Sequence, residues 1–282
     1  MIVLLGLGCS LCWGTADFFG GLQSRRLPAL GVALWSQAAG AVALLLVLLA
    51  TGSRPLLGSI AWGIGGGIFS GAALVLFYRG LATGVMSIVA PIAACGTLVP
   101  VAVALAMGEP LSPAIALGIL VAIAGVALSS IPARDAAHPS GASQRGGILL
   151  ALGAAVGFGT FNVFVARGSA AHGVAPLWSV AGARIGSLAM LLSIAALRPR
   201  SAPWPGRRAG AVAGVGVLDT TANALFAFAS TLGNLGVAST LSSLYPVATV
   251  VLGRIVLAER LTGMQGIGVT LALAGVVLLS SS

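Results

Sequence analysis

Three ionisable side chains stand inside otherwise apolar stretches of this sequence: Asp17, Arg184 and Asp219. A charge at the middle of a membrane helix costs about 2.5–3.5 kcal/mol on insertion scales, so such a group faces a wet cavity or a partner of opposite sign. Asp17 follows Trp13 by one helical turn, which puts both on one face, and Asn162 follows Phe158 by the same interval in the second half of the chain. Asp219, Asn223, Phe226 and Ser230 recur at i, i+4, i+7 and i+11 and draw a polar and aromatic stripe down one helix. The chemistry this set offers is binding: Asp17 or Asp219 can hold a proton or an ammonium group. The ring faces of Trp13, Phe158, Trp178, Phe226, Phe228 and Tyr245 can attract a cation. Plainer readings stand beside this one. A carboxylate can form a structural ion pair with Arg184, and aromatic residues in membrane helices more often pack or anchor at the interface.

Other reactive residues give weaker signals. Cys9 and Cys12 have redox spacing but lie in an apolar helix without a basic activator, where thiols are inert. His138 and His172 lack metal-ligand spacing, and there is no serine nucleophile elbow or phosphate-binding loop. No metal or cofactor is therefore expected. A membrane-embedded enzyme using Asp17 and Asp219 as an acid–base pair is one alternative, since paired carboxylates in a low-dielectric site can exchange protons.

The segments that must position these residues are apolar. Of 282 residues 58% are hydrophobic and only 7% charged, against about 25% charged in ordinary soluble domains, which excludes a soluble globule. All basic residues are arginines that punctuate apolar runs rather than cluster, so nucleic acid is not an expected partner despite the net charge of +9. At about 20 residues per span, ten helices account for nearly all of the chain. The runs lie near 2–22, 29–50, 58–79, 84–107 and 112–131, then near 147–168, 174–197, 208–230, 236–257 and 262–281. In lipid every backbone polar group must be paired internally, so the fold class is all-α and polytopic.

The polar stretch 132–146 divides the chain into a first repeat, 1–131, and a second, 147–282, whose residues match in order. Leu34-Trp35-Ser36 recurs as Leu177-Trp178-Ser179; Gly63, Gly65, Leu74 and Phe77 recur as Gly214, Gly216, Leu225 and Phe228. Glu109 and Glu259 close corresponding spans. A five-span repeat must enter the membrane in opposite senses, and inverted repeats permit alternating access to a site between them near the midplane. The spacings Gly63-x-x-x-Gly67-x-x-x-Gly71, Gly182-x-x-x-Gly186 and Gly210-x-x-x-Gly214 predict close helix packing, and Pro91, Pro100 and Pro246 predict interrupted helices.

Trp13-Gly14-Thr15 with Phe158-Gly159-Thr160, Ala183-Arg184-Ile185, and Tyr245-Pro246 running to Glu259-Arg260-Leu261 resemble the EamA family of the drug/metabolite transporter superfamily, over essentially the whole chain. The resemblance implies a ten-helix carrier that exports or exchanges amino acids, metabolites or cationic drugs without ATP hydrolysis. The first half departs from it, having Gln37 and Ala41 where a second arginine would stand. The expectation is a secondary transporter of small amphipathic solutes, with Trp13, Asp17, Phe158, Asn162, Arg184, Asp219, Asn223, Phe226 and Tyr245 at its binding site. A lipid flippase is the other alternative. Expected partners are a small solute, the lipid bilayer and a coupling proton, in a monomer or homodimer of a bacterial inner membrane. Odd-numbered connections carry eleven arginines and even-numbered ones only Arg54 and Arg167, which places the odd connections in the cytoplasm. The resemblance implies the opposite, cytoplasmic termini.

Overall fold

A computed structural model describes residues 1–83, 86–108, 112–129, 131, 141–170, 175–198, 201–256 and 263–280. Glu109, Glu259, His138 and His172 lie outside the described residues. Among the described residues there is no strand. The first half holds α1 (Ile2–Ser24), α2 (Ala29–Thr51), α3 (Leu57–Thr83), α4 (Met86–Ala94), α5 (Leu98–Ala106) and α6 (Pro113–Ser129). The second holds α7 (Gly141–Ser169), α8 (Ala175–Leu197), α9 (Ala209–Ala229), α10 (Leu235–Ser242), α11 (Tyr245–Val256) and α12 (Gly263–Ser280). Helix α7 starts at Gly141, so the connection expected over 132–146 gives up its last residues to it.

Among the described residues six helices, α1 to α3 and α7 to α9, are long and apolar enough to cross a membrane. At 1.5 Å per residue the 23 residues of α1 reach about 34 Å, slightly more than a hydrocarbon core. The runs expected as single spans near 84–107 and 236–257 are instead broken. A 3-10 turn at Cys95–Thr97 separates α4 from α5, and Ser243 and Leu244 separate α10 from α11. Pro100 and Pro246 each fall in the first turn of the restarted helix, where a missing N–H removes no intrahelical bond. Leucines such as Leu4, Leu46 and Leu120 point outward while Arg184, Gln37 and Asn223 are buried, the reverse of a water-soluble surface.

The halves interlock through corresponding helices. α3 packs on α7 and α8, α9 packs on α1 and α2, and α6 lies against α12. Gly31 beside Ala202 and Pro203, with Gly40 beside Thr220, makes α2 and α9 parallel. The five-residue link between α2 and α3 makes those two antiparallel, so α3 and its counterpart α9 run in opposite senses.

The α3–α8 seam is the tightest part of the bundle. Gly63, Gly67 and Gly71 lie against the α8 backbone from Ser179 to Ser187, while Gly182 and Gly186 lie against Ile60 and Ile64 of α3. A Cβ at Gly67 would come within 2.8 Å of the Ser187 backbone nitrogen, so only glycine allows this approach. Gly210 and Gly214 do not share the role: among the described residues nothing stands within 4 Å of either Cβ position, which corrects the packing expected of that spacing.

One end of the bundle is clasped and basic. The Trp35 indole Nε1 donates to the Pro203 carbonyl at 2.9 Å, Trp204 stands edge-on to Trp35 at 4.8 Å, and Arg208 donates to Gln23 at 3.1 Å. These contacts bring the α1–α2 and α8–α9 connections, with Arg25, Arg26, Arg198, Arg207 and Arg208, to one face. Arg54 stands beyond the opposite end of α2.

Candidate functional site

Between the halves lies a cavity enclosing about 610 Å³ of empty space, its open mouth included. α1 supplies Trp13 and Asp17; α2, Gln37; α3, Ser70 and Leu74; and α9, Asp219 and Asn223. α7 supplies Phe158, Gly159, Phe161 and Asn162. The two broken segments complete the wall with Ala93, Ala94, Gly96 and Thr97 on one side and Ser243 and Tyr245 on the other. Polar backbone freed by the breaks thus borders a cavity rather than lipid, the only setting in which a membrane protein tolerates it.

Glycines of the two repeated motifs bring the first helix of each half against those breaks. Gly14 lets α1 rest on the Tyr245 carbonyl and Ala248, and Gly159 lets α7 rest on the Gly96 carbonyl and Val99. A Cβ at Gly159 would lie 2.7 Å from that of Val99. The residues preceding these glycines, Trp13 and Phe158, therefore face the cavity at related places on its wall.

One wall is a polar cluster in which Arg184 works through Nη1 alone, its Nε and Nη2 being buried with no partner among the described residues. The Asp219 carboxylate oxygen Oδ2 accepts from Arg184 at 2.8 Å, from Gln37 Nε2 at 2.9 Å and from Asn223 Nδ2 at 3.3 Å. The Gln37 carbonyl oxygen accepts from Arg184 and from Ser187 Oγ, the latter at 3.0 Å. Arg184 is 4% exposed, and a cation this buried persists only with its charge matched, here by Asp219 in an ion pair. Counterpart positions in the repeat hold Val180 for Gln37, Ala41 for Arg184, Leu44 for Ser187, Ile68 for Asp219 and Ala72 for Asn223. The cluster therefore has no polar sister.

Asp17 differs from Asp219. It lines the same cavity, yet among the described residues it makes no hydrogen bond or ion pair. The pseudo-equivalent Asn162 faces the cavity from α7. Asn162 and Asn223 each carry a buried side-chain oxygen with no hydrogen-bond partner, as does the hydroxyl of Thr97. Native interiors rarely leave such atoms unmet unless water, a ligand or an ion completes them.

Seven of the nine residues singled out from the sequence line the cavity: Trp13, Asp17, Phe158, Asn162, Asp219, Asn223 and Tyr245. The other two stand behind it. Arg184 reaches the cavity only through Asp219 and Gln37, and Phe226 is fully buried, its ring 6.0 Å from that of Trp13. Trp13 also meets Tyr245 edge-on at 6.4 Å, and the Tyr245 hydroxyl donates to the Ala90 carbonyl at 3.5 Å. Ser230, the fourth member of the α9 stripe, bonds the carbonyl of Ala227 and is not in the wall, and Trp178 and Phe228 pack at its margin in the core. Ser70, Thr97, Phe161 and Ser243 were not legible: isolated hydroxyls and rings in apolar runs have no spacing of their own, and the breaks that deliver Thr97 and Ser243 have no strong sequence mark. Among the described residues no three His, Cys, Asp or Glu side chains gather as a metal site.

The profile of the EamA-like transporter family matches residues 1–131 and again 145–281. A solved structure titled only as the crystal structure of a protein superposes with a TM-score of 0.79 over 98% of this chain and 95% of that one, at 21% identity, which speaks to the fold alone. No curated protein matches.

Proposed function

The chain belongs to the EamA-like transporter family, an integral multi-pass membrane protein by its apolar helices, and on that premise we propose a secondary carrier for small amphipathic solutes such as amino acids or organic cations. It crosses the membrane ten times, in two inverted repeats spanning 1–131 and 147–282, with the broken α4–α5 and α10–α11 segments serving as the fourth and ninth spans. The observation that carries the reading is a cavity walled by both halves at the level of those broken segments, where carriers of this design bind their cargo. Rocking one half on the other exposes it to each side in turn. Trp13, Asp17, Phe158, Asn162, Asp219, Asn223 and Tyr245 contact the solute, with Arg184 and Phe226 positioning them. A proton bound at Asp17 would couple transport to the proton gradient.

Purified protein sealed into liposomes should accumulate or release a labelled solute along an imposed gradient, and leak-free vesicles that move no amino acid or amine would overturn the carrier reading. The same assay with a fluorescent phospholipid tests the flippase alternative, which headgroup-dependent flipping without solute flux would favour.

The basic face lies in the cytoplasm, following the arginine count. Reporters that fluoresce only in the cytoplasm should be bright when inserted beside Arg207 and dark beside Gly52. The reverse pattern would give the chain the orientation implied by its family.

A further inference from the structure

The two carboxylates in the cavity wall are not equivalent, and their difference says what the cavity is built to hold. The Asp219 charge is met by Arg184 and held by two amide donors. Asp17 has neither, so the wall carries one carboxyl group without a partner among the described residues. The same cavity is lined by residues whose acceptors lack donors. The Nδ2 of Asn223 is committed to Asp219, which fixes its orientation and leaves Oδ1 unmet, and the Oδ1 of Asn162 is unmet as well. Both asparagines are more than nine-tenths buried. The rest of the wall is mostly apolar or aromatic, with Trp13, Phe158 and Tyr245 presenting rings and Ser70, Thr97 and Ser243 presenting hydroxyls. Among the described residues the wall holds no cation to take a carboxylate, because Arg184 stands behind Asp219 and does not reach the cavity surface.

We propose that this cavity binds a primary ammonium group carrying an apolar body, with Asp17 as its counter-charge and the amide oxygens of Asn162 and Asn223 as its further acceptors. An R–NH3⁺ group offers three N–H donors, one for each. A quaternary ammonium carries the same charge and suits the rings equally well, but donates nothing and leaves both amide oxygens unmet. An amino acid brings a carboxylate, to which the described wall offers hydroxyls but no cation. This inference rests on the carrier reading of the site and narrows its cargo.

Binding by the full-length protein in detergent, measured calorimetrically, tests it apart from transport. 2-Phenylethylamine should bind saturably, its N,N,N-trimethyl analogue at least tenfold more weakly, and phenylalanine and 3-phenylpropionate at least tenfold more weakly again. Asp17→Asn should lose the preference for the amine while the ligand-free protein melts as before; Asp219→Asn should instead lower the melting point. Should Asp17→Asn fail to fold, the ratio between amine and trimethyl analogue on the unaltered protein, and its fall in Asn162→Leu, decides the matter. Equal affinity for the trimethyl compound or for phenylpropionate, an unchanged Asp17→Asn, or no binding of the amine would each overturn the proposal. An amine that binds but is not moved by liposomes would refute the carrier and leave this assignment standing. Flux of carboxylates without amine binding would do the opposite.

Discussion

The α3–α8 and α2–α9 seams occupy corresponding places in the two repeats, yet they are held by different physics. In the first, glycines let backbones touch. In the second, Gly40 and Gly216 give one close approach, and beyond it Gln37, Arg184 and Asp219 bridge α2, α8 and α9. Close packing gains from many weak contacts and tolerates little displacement. A buried ion pair contributes little net stability against an apolar replacement, but removing one partner is costly. The comparison implies that the first seam is a scaffold and the second a site whose chemistry is kept for purposes other than stability.

The largest effect should come from unbalancing the polar seam. Arg184→Ala leaves Asp219 buried without its cation and should cost about 3–5 kcal/mol, read as a lower melting point in detergent. Writing the sister seam into this one, with Gln37→Val, Arg184→Ala and Asp219→Ile together, should restore most of that loss while abolishing transport. A triple variant as unstable as the single would show that the cluster is structural after all. Next in size, Gly67→Leu drives a side chain into the α8 backbone and should cost about 1–3 kcal/mol with flux reduced in proportion to folded protein. The smallest effect is a gain. Gly214→Ala meets open space within a helix and should stabilise by about 0.5–1 kcal/mol; a loss there would mean that the open face is covered by something outside this chain.

The sequence made the helical class and the repeat legible because both rest on long-range statistics: sustained apolarity, and matches in fixed order. The inward direction of Asp17, Asn162, Asp219 and Asn223 was legible for a similar reason, since polar groups in apolar helices have few places to go. Arg184 and Phe226 were placed one layer too far forward. Helical spacing identifies a face, but whether a side chain on it reaches the cavity or stops behind a neighbour depends on crossing geometry, which spacing does not encode. The breaks at Cys95–Thr97 and after Ser242 were only hinted at by prolines, because proline in the first turn of a helix is silent about whether another helix ended just before it. For Gly210 and Gly214 the motif was present and its partner surface absent.

The polar cluster also bears on why the two halves share one polypeptide. Two separate, identical five-helix chains related by a two-fold axis would bring every residue to the centre in duplicate, so an arginine and aspartate gained by one would confront their own copies across a narrow gap. A single chain is free of that obligation. Ala41 and Ile68 can remain small or greasy while Arg184 and Asp219 diverge from them, and a cargo with two unlike ends can meet two unlike walls.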